Sequence, residues 1–537
     1  MEITFLLTHG KIYTMDGRMF EAMAVSKDRI VKLGTNSELK NMGGPGTLKL
    51  DLKGMTVVPG FNDSHLHLQA HGANRNSVDL RHAASVKEII EKTRRYMIRT
   101  EKKAGDWIFG WGWDQNGFRE KCFPTRHDLD MISRENPIIM IRTCRHVGVM
   151  NLAAMTLVGA DNDTEITGGS FDRDRNGNLN GVFRGNAIAW VYDQIPGPTA
   201  EQIRNDLSAG IEEALKYGVT SIQTSDLHDG IRFDDMIEAY NDLREEGRLK
   251  ARINAQLYLP DRRLLMEYLH KRFRPFEGDH LLRLGPVKLL LDGSLGARTA
   301  ALSEEYSDDP GNKGQLTYSQ EELDSLVSIA HEHGMQVALH AIGDAAIRAG
   351  IDAIEKAVVQ NPREHRHRMI HAQITTPELI ERMADLAILA DIQPAFVSSD
   401  WGMVESRIGI ERAMKSYSWK SMLEAGISIA AGSDAPVESL NPMLGVYAAV
   451  TRKDLDGMPK DGWLNSQKLS AYEILERYTK GGAYATFEEQ DKGTLCEGML
   501  ADMAILSDDP FEVEADAIKE IEVLSTVVGG EILYSEI

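Results

Sequence analysis

His65-Leu66-His67 follows an apolar run, Val57-Val58-Pro59-Gly60-Phe61, and the bend Asn62-Asp63-Ser64. In an extended segment residues i and i+2 project to the same side, so both imidazoles can reach one ion. Taken alone the pair is a weak signal, because the chain holds 16 histidines and a core or surface imidazole explains any of them. Three more residues strengthen it. His340 and His371 each close an apolar stretch, and Asp434 follows another in Ala431-Gly432-Ser433-Asp434-Ala435-Pro436. An aspartate before Ala-Pro can also merely fix a turn. Lys288 lies inside Pro286-Val287-Lys288-Leu289-Leu290-Leu291-Asp292, where an inward ammonium costs several kcal/mol unless it is paired or neutralised. One route is reaction with carbon dioxide to a carbamate, which ligates metal through oxygen; an outward or salt-bridged lysine is the plain alternative. Neutral imidazoles and hard oxygens suit a divalent first-row ion, zinc most often. Only three cysteines, Cys122, Cys144 and Cys496, are present and scattered, too few for a disulfide framework or a thiolate zinc site.

Such residues converge only if the fold carries them to one face. The middle of the chain alternates short apolar strands with amphipathic helices, the pattern of a parallel sheet covered by helices. Strands are expected at Val57 to Phe61, Val219 to Gln223, Arg252 to Tyr258, Val287 to Leu291, Gln336 to His340, Arg368 to His371, Leu389 to Gln393 and Ile427 to Ala431. Eight such units close a (β/α)8 TIM-type barrel of the α/β class. His340, His371 and Asp434 then fall at C-terminal strand ends, where barrels of this kind place their chemistry. The stretch between the first two strands is too long for a loop and reads as an inserted α+β subdomain. Both chain ends have strand-and-turn texture and could pair into a small composite β-sandwich. The expected division is 1–56 plus 485–537 for the sandwich, 57–70 plus 205–484 for the barrel and 71–204 for the insertion.

Charge and composition narrow the partners. The 81 acidic residues against 60 basic ones give a formal net charge of -21, which repels phosphate backbones and anionic lipid alike. Nucleic acid and membrane are therefore not expected as partners. Even Pro137-Ile138-Ile139-Met140-Ile141 is stopped at once by Arg142, far short of the ~20 residues that span a bilayer. The first residues lack the basic and apolar regions of a signal peptide, so the cytoplasm is the expected compartment.

The order H-x-H, lysine on the fourth strand, histidines on the fifth and sixth and aspartate after the eighth resembles the amidohydrolase superfamily. More narrowly, Gly110 to Asp114, Val287 to Thr299 and Leu339-His340-Ala341-Ile342-Gly343-Asp344 look like the YtcJ-like branch of amidohydrolase family 3, which includes N-substituted formamide deformylase. Gly185 stands where that branch commonly carries an acidic residue. The resemblance implies metal-dependent hydrolysis of an amide, N-acyl or N-formyl C–N bond in a small-molecule substrate, with a homodimer as the suggested assembly. The expected arrangement puts His65, His67 and Asp434 at one divalent ion and His340 and His371 at a second, bridged by Lys288 if it is carboxylated; one or two ions per protomer satisfy the ligands. Asp434 would then shuttle the proton from the attacking hydroxide to the leaving amine. Asp292 and Arg298, just past the fourth strand, are candidates to orient substrate. Trp113, Asp114 and His146 are candidates to reach over the site from the insertion. Ester, lactone or phosphotriester hydrolysis would use the same ligands. A noncatalytic assembly protein on this fold would have no reason to retain all six.

Overall fold

Strands buried on both faces carry near-continuous apolar runs, and eight of them form an all-parallel sheet in sequence order: β1 (Phe61–Leu66), β2 (Val219–Thr224), β3 (Arg252–Tyr258), β4 (Leu282–Leu290), β5 (Val337–Ala341), β6 (Arg368–His371), β7 (Leu389–Ile392) and β8 (Ile429–Ala431). This computed structural model describes residues 2–142, 147–166, 169–185, 187–226, 231–271 and 274–537. Just past β8 the sheet curls back on itself. Asp434 N donates to His65 O and His67 N to Ala435 O, both at 2.8 Å, so the two edge strands meet at their C-terminal ends and the barrel is nearly closed. Helices follow the strands. The one spanning Asp344–Gln360 presses so closely that a Cβ on Gly350 would lie 3.0 Å from Met369 and 3.1 Å from Leu339. Gln320–Glu332 starts on a capping box of Ser319 and Glu322, which satisfies the first free backbone donors.

The apolar run expected as the first barrel strand serves two sheets. Thr56–Pro59 pairs antiparallel with Met503–Leu506 and parallel with Lys11–Tyr13, while β1 begins at Phe61. The switch comes at Gly60, whose N–H reaches Asp502 O at 3.0 Å while the next N–H reaches Gly218 O at 2.9 Å. A Cβ there would stand 2.2 Å from Thr220 Oγ1, so the residue must be glycine. As a result His65 lies within β1, not beyond it.

Thr56–Pro59 belongs to a six-stranded sheet built from both chain ends, and a four-stranded sheet of Phe5–Thr8, Ala22–Ser26, Arg29–Gly34 and Leu48–Asp51 packs with it. Their common core holds Phe5, Leu7, Met23 and Val25 from the first end and Met503, Ile505 and Val527 from the other. Sandwich and barrel make one compact unit, Met1–Leu68, Ile211–Leu227 and Tyr240–Ile537; Gln69–Gly210 with His228–Ala239 make a second. That second unit is built on a six-stranded mixed sheet in which Ile138–Arg142 runs parallel to Ile108–Trp113 and antiparallel to Val147–Met150. Apolar clusters cover both of its faces. Among the described residues no helix is long and apolar enough to cross a membrane.

Candidate metal centre

β1 and the turn after β8 bring three donors together. His65, His67 and Asp434 each offer one ligand atom, all within 4.8 Å of one another. Asp434 Oδ1 lies 3.3 Å from His67 Nε2 and 3.5 Å from His65 Nε2. Lys288, pointing inward from β4, puts its Nζ 3.3 Å from His65 Nε2. The His371 ring is centred 5.8 Å from that of His65, and His340 stands 4.6 Å from His371. The six expected ligands thus form one cluster at the C-terminal face. Backbone conformation contributes, since His371 (φ 73°), Ala372 (φ 45°) and Asp434 (φ 58°) all occupy the left-handed region, which non-glycine residues adopt uncommonly.

The donor chemistry fits a divalent ion. Asp434 Oδ1 and His340 Nδ1 are buried yet make no hydrogen bond, and a buried polar atom without a partner is costly. Burial drives His65 and His340 well below the usual imidazole range and His371 down to about 4, so these rings are neutral and have lone pairs to give. Burial also pulls on His67, but the Asp434 carboxylate outweighs it and raises that ring; in return His67, with His371 and Lys288, holds Asp434 below the ordinary carboxylate value despite its burial. Lys288, 1% exposed, is lowered by burial to about 7. Its neutral amine is then accessible near neutral pH, and that is the form that reacts with carbon dioxide.

The other expected residues are placed differently. Asp292 is buried and accepts from Ala301 N (2.9 Å), Ile342 N (3.1 Å) and Gly343 N (2.8 Å), which ties the loops after β4 and β5 together. Its Oδ1 also stands 3.7 Å from His340 Nδ1, so the residue sits beside the candidate ligands. Arg298 is held in a bidentate pair with Asp308 at 3.0 and 2.9 Å, and Asp308 is shared with Arg407. Trp113 is fully enclosed in the apolar core of the second unit and donates its indole N–H to Met140 O at 3.1 Å. A ring so enclosed has no face left for substrate. Asp114 pairs with Arg142 at 2.7 Å, and His146 lies outside the described residues.

Sequence reasoning missed the residues behind the histidines. His65 Nδ1 meets Gln256 Oε1 at 3.0 Å, His371 Nδ1 meets Gln393 Oε1 at 2.7 Å, and His67 Nδ1 meets Ser225 O at 2.7 Å. Asp63 accepts from His65 N (3.2 Å) and Ser433 N (3.0 Å), so it clamps the H-x-H segment to the turn bearing Asp434. A signal existed for Gln256: Arg252, Asn254 and Gln256 alternate with Ile253, Ala255 and Leu257 along a strand buried on both sides, so one face is polar where a core strand should be apolar. Gln393 offers no comparable pattern.

Comparison with known proteins agrees with this geometry. A family model described as the amidohydrolase family matches residues 50–534. YtcJ of Bacillus subtilis, an amidohydrolase by name, is 35% identical over 98% of both chains. N-substituted formamide deformylase of Arthrobacter pascens is 28% identical, again over 98% of both. The crystal structure of an uncharacterized metal-dependent hydrolase from Pyrococcus furiosus aligns with a TM-score of 0.78 at 32% identity, covering 95% of this chain and 100% of that one.

Proposed function

Because the chain belongs to the amidohydrolase family across residues 50–534, we propose that it is a metal-dependent hydrolase cleaving an amide, N-acyl or N-formyl C–N bond in a small molecule. The observation that carries this reading is the convergence of His65, His67 and Asp434 within 4.8 Å, with Asp434 Oδ1 lacking any hydrogen bond. His65, His67 and Asp434 would hold one divalent ion, zinc by preference, and His340 and His371 a second, with a carboxylated Lys288 between them. A bound ion of this kind supplies Lewis acidity and lowers the pKa of water toward neutrality.

The protein's own groups account for the rest. Asp434, kept ionised chiefly by the His67 beside it, accepts at Oδ the proton that water gives up on adding to the carbonyl carbon. It then returns that proton to the departing nitrogen, so an amine leaves and not its unstable anion. His67 is the most open of the ligands, with 25% of its side chain exposed against 1% for His65, and substrate enters from its side. Phe396 stacks on His371 with centroids 5.9 Å apart and offers an apolar wall. The N-formyl alternative draws support from the deformylase relative, alike over nearly the full length.

The test is a metal assay of protein purified without chelator, followed by a screen of N-formyl, N-acyl and cyclic amides beside matched esters and lactones. One to two equivalents of divalent metal and turnover of an amide are expected. No stoichiometric metal, and no hydrolysis after adding zinc, manganese or cobalt, would overturn the reading.

A further inference from the structure

The ligand histidines are not backed in the same way. His67 leans on a backbone carbonyl, and the buried His340 Nδ1 makes no hydrogen bond. His65 and His371 each lean on the oxygen of a buried glutamine, from β3 and from just past β7. We propose that Gln256 and Gln393 are positioning residues that hold His65 and His371 in the Nδ1–H tautomer, leaving each Nε2 lone pair for metal. This rests on the metal-centre reading above.

The two ends of each amide are told apart by their other partner. Gln256 Nε2 lies 3.1 Å from Ser64 O, which can only accept, so the NH2 end faces the carbonyl and the oxygen faces His65. That oxygen can only accept as well, so the proton must sit on His65 Nδ1. Gln393 repeats the logic, with Nε2 3.3 Å from Asp391 O and Oε1 toward His371. A neutral imidazole carries one N–H, so Nε2 is the lone-pair atom in both rings. Gln256 is 1% and Gln393 3% exposed, leaving no bulk water to replace either acceptor.

One hub sets both amides. Arg368, fully buried on β6, donates to Ser64 O at 2.5 Å, to Gln223 Oε1 at 2.7 Å and to the Asp391 carboxylate, which also takes the Ser64 hydroxyl. Ser64 and Asp391 are the residues whose carbonyls orient the two glutamines. The guanidinium therefore holds the Ser64 carbonyl directly and Asp391 through its carboxylate, and the glutamines pass that order to the rings.

The experiment uses Gln256→Leu and Gln393→Leu, with Gln256→Glu and Gln393→Glu as variants that keep an acceptor. Long-range proton–nitrogen spectra of the histidine-labelled, metal-free protein read the tautomer. Chelator competition reads zinc affinity, and the unfolding midpoint of the metal-free protein monitors the fold. Each leucine variant is expected to lose the Nδ1–H tautomer of its own histidine and to bind zinc about 10–100-fold more weakly. The glutamate variants, which keep the acceptor but must protonate the oxygen that faces Ser64 O or Asp391 O, should keep the tautomer and lose less affinity than leucine. Parent-like zinc affinity or an unchanged tautomer in the leucine variants would overturn the inference, as would a folded glutamate variant that weakens binding as much as leucine. Where a leucine variant does not fold, the glutamate variant decides alone. If the parent itself takes up no zinc, the metal-centre reading fails, and the tautomer spectra still decide the assignment of Gln256 and Gln393.

Discussion

Asp434 works through both its carboxylate and its backbone. Its Oδ1 lies within 3.5 Å of two imidazole nitrogens, and its backbone N–H helps to close the barrel through His65 O. Replacing it by alanine would remove the ligand oxygen and the acid/base group together. Asp434→Asn is nearly isosteric, keeps the backbone bond and still offers a carbonyl oxygen to an ion, but it cannot accept and return a proton at neutral pH. Fold and most metal should survive. Turnover should fall by ~10²- to 10⁴-fold, the usual contribution of a positioned acid/base group, in kcat as well as kcat/KM. Parent-like rates with normal metal content would mean that Asp434 is only a ligand and a turn residue.

At the scale of elements, the joint between the Gln320–Glu332 helix and the start of β6 is wired by histidines away from the site. His331 Nε2 donates to Asn361 O at 2.7 Å, leaving its Nδ1 to accept from His367 Nε2 at 2.9 Å; His367 Nδ1 then accepts from Val337 N at 3.0 Å. His365 Nδ1 accepts from His367 N at 2.9 Å. Each ring must stay neutral for this wiring to hold, and burial, aided by its histidine and arginine neighbours, depresses His365 to about 4. A depressed histidine is protonated first in the unfolded chain. Its contribution is thus complete above the ordinary value near 6.5 and is lost as pH falls from there toward 4, at up to ~1.4 kcal/mol per pH unit for each such group. His365→Asn keeps an acceptor for His367 N but cannot titrate, so its urea-unfolding free energy should fall less steeply than the parent's over that window. Parallel pH curves would refute the assignment.

The same scale shows what the residues alone could reveal. Most parallel barrel strands are legible because burial on both faces leaves apolar runs, and the six candidate ligands because their order along the strands places them at one face. The edge of β1 was not, because Val57 to Phe61 reads as one apolar run while β1 continues through the polar Asn62-Asp63-Ser64 beyond the switch at Gly60, where the Thr220 contact demands glycine. Asp292, Arg298 and Trp113 are legible as candidates by position, but what they touch is not. Their partners, three backbone amides, Asp308 and the Met140 carbonyl, are set by tertiary packing that no local pattern announces.

For the whole molecule, the question is why both chain ends are needed to complete one barrel. Thr56–Pro59 runs straight into β1 through Gly60, so the strand bearing His65 starts where the sandwich stops. On the C-terminal side Asp502 forms a bidentate pair with Arg252 at the start of β3, Nε to Oδ2 at 2.5 Å and Nη2 to Oδ1 at 2.7 Å, with side chains only 6% and 5% exposed. The same carboxylate accepts from Gly529 N at 2.8 Å, and Thr526 Oγ1 donates to Leu215 O at 2.6 Å. These bonds tie the last strands of the chain to the barrel floor. Removing one partner of such a pair strands a buried charge, which costs about 3–5 kcal/mol, whereas replacing both by apolar residues of similar volume is often neutral. Asp502→Ala should therefore lower the urea midpoint sharply, with sandwich and barrel unfolding in one transition, because β1 and β3 are each anchored in both. Arg252→Met with Asp502→Leu should recover most of the loss. If Asp502→Ala unfolds the sandwich first, with hydrogen exchange of the barrel strands unchanged until higher urea, the two layers are energetically separate, and the pair holds only the chain end in place.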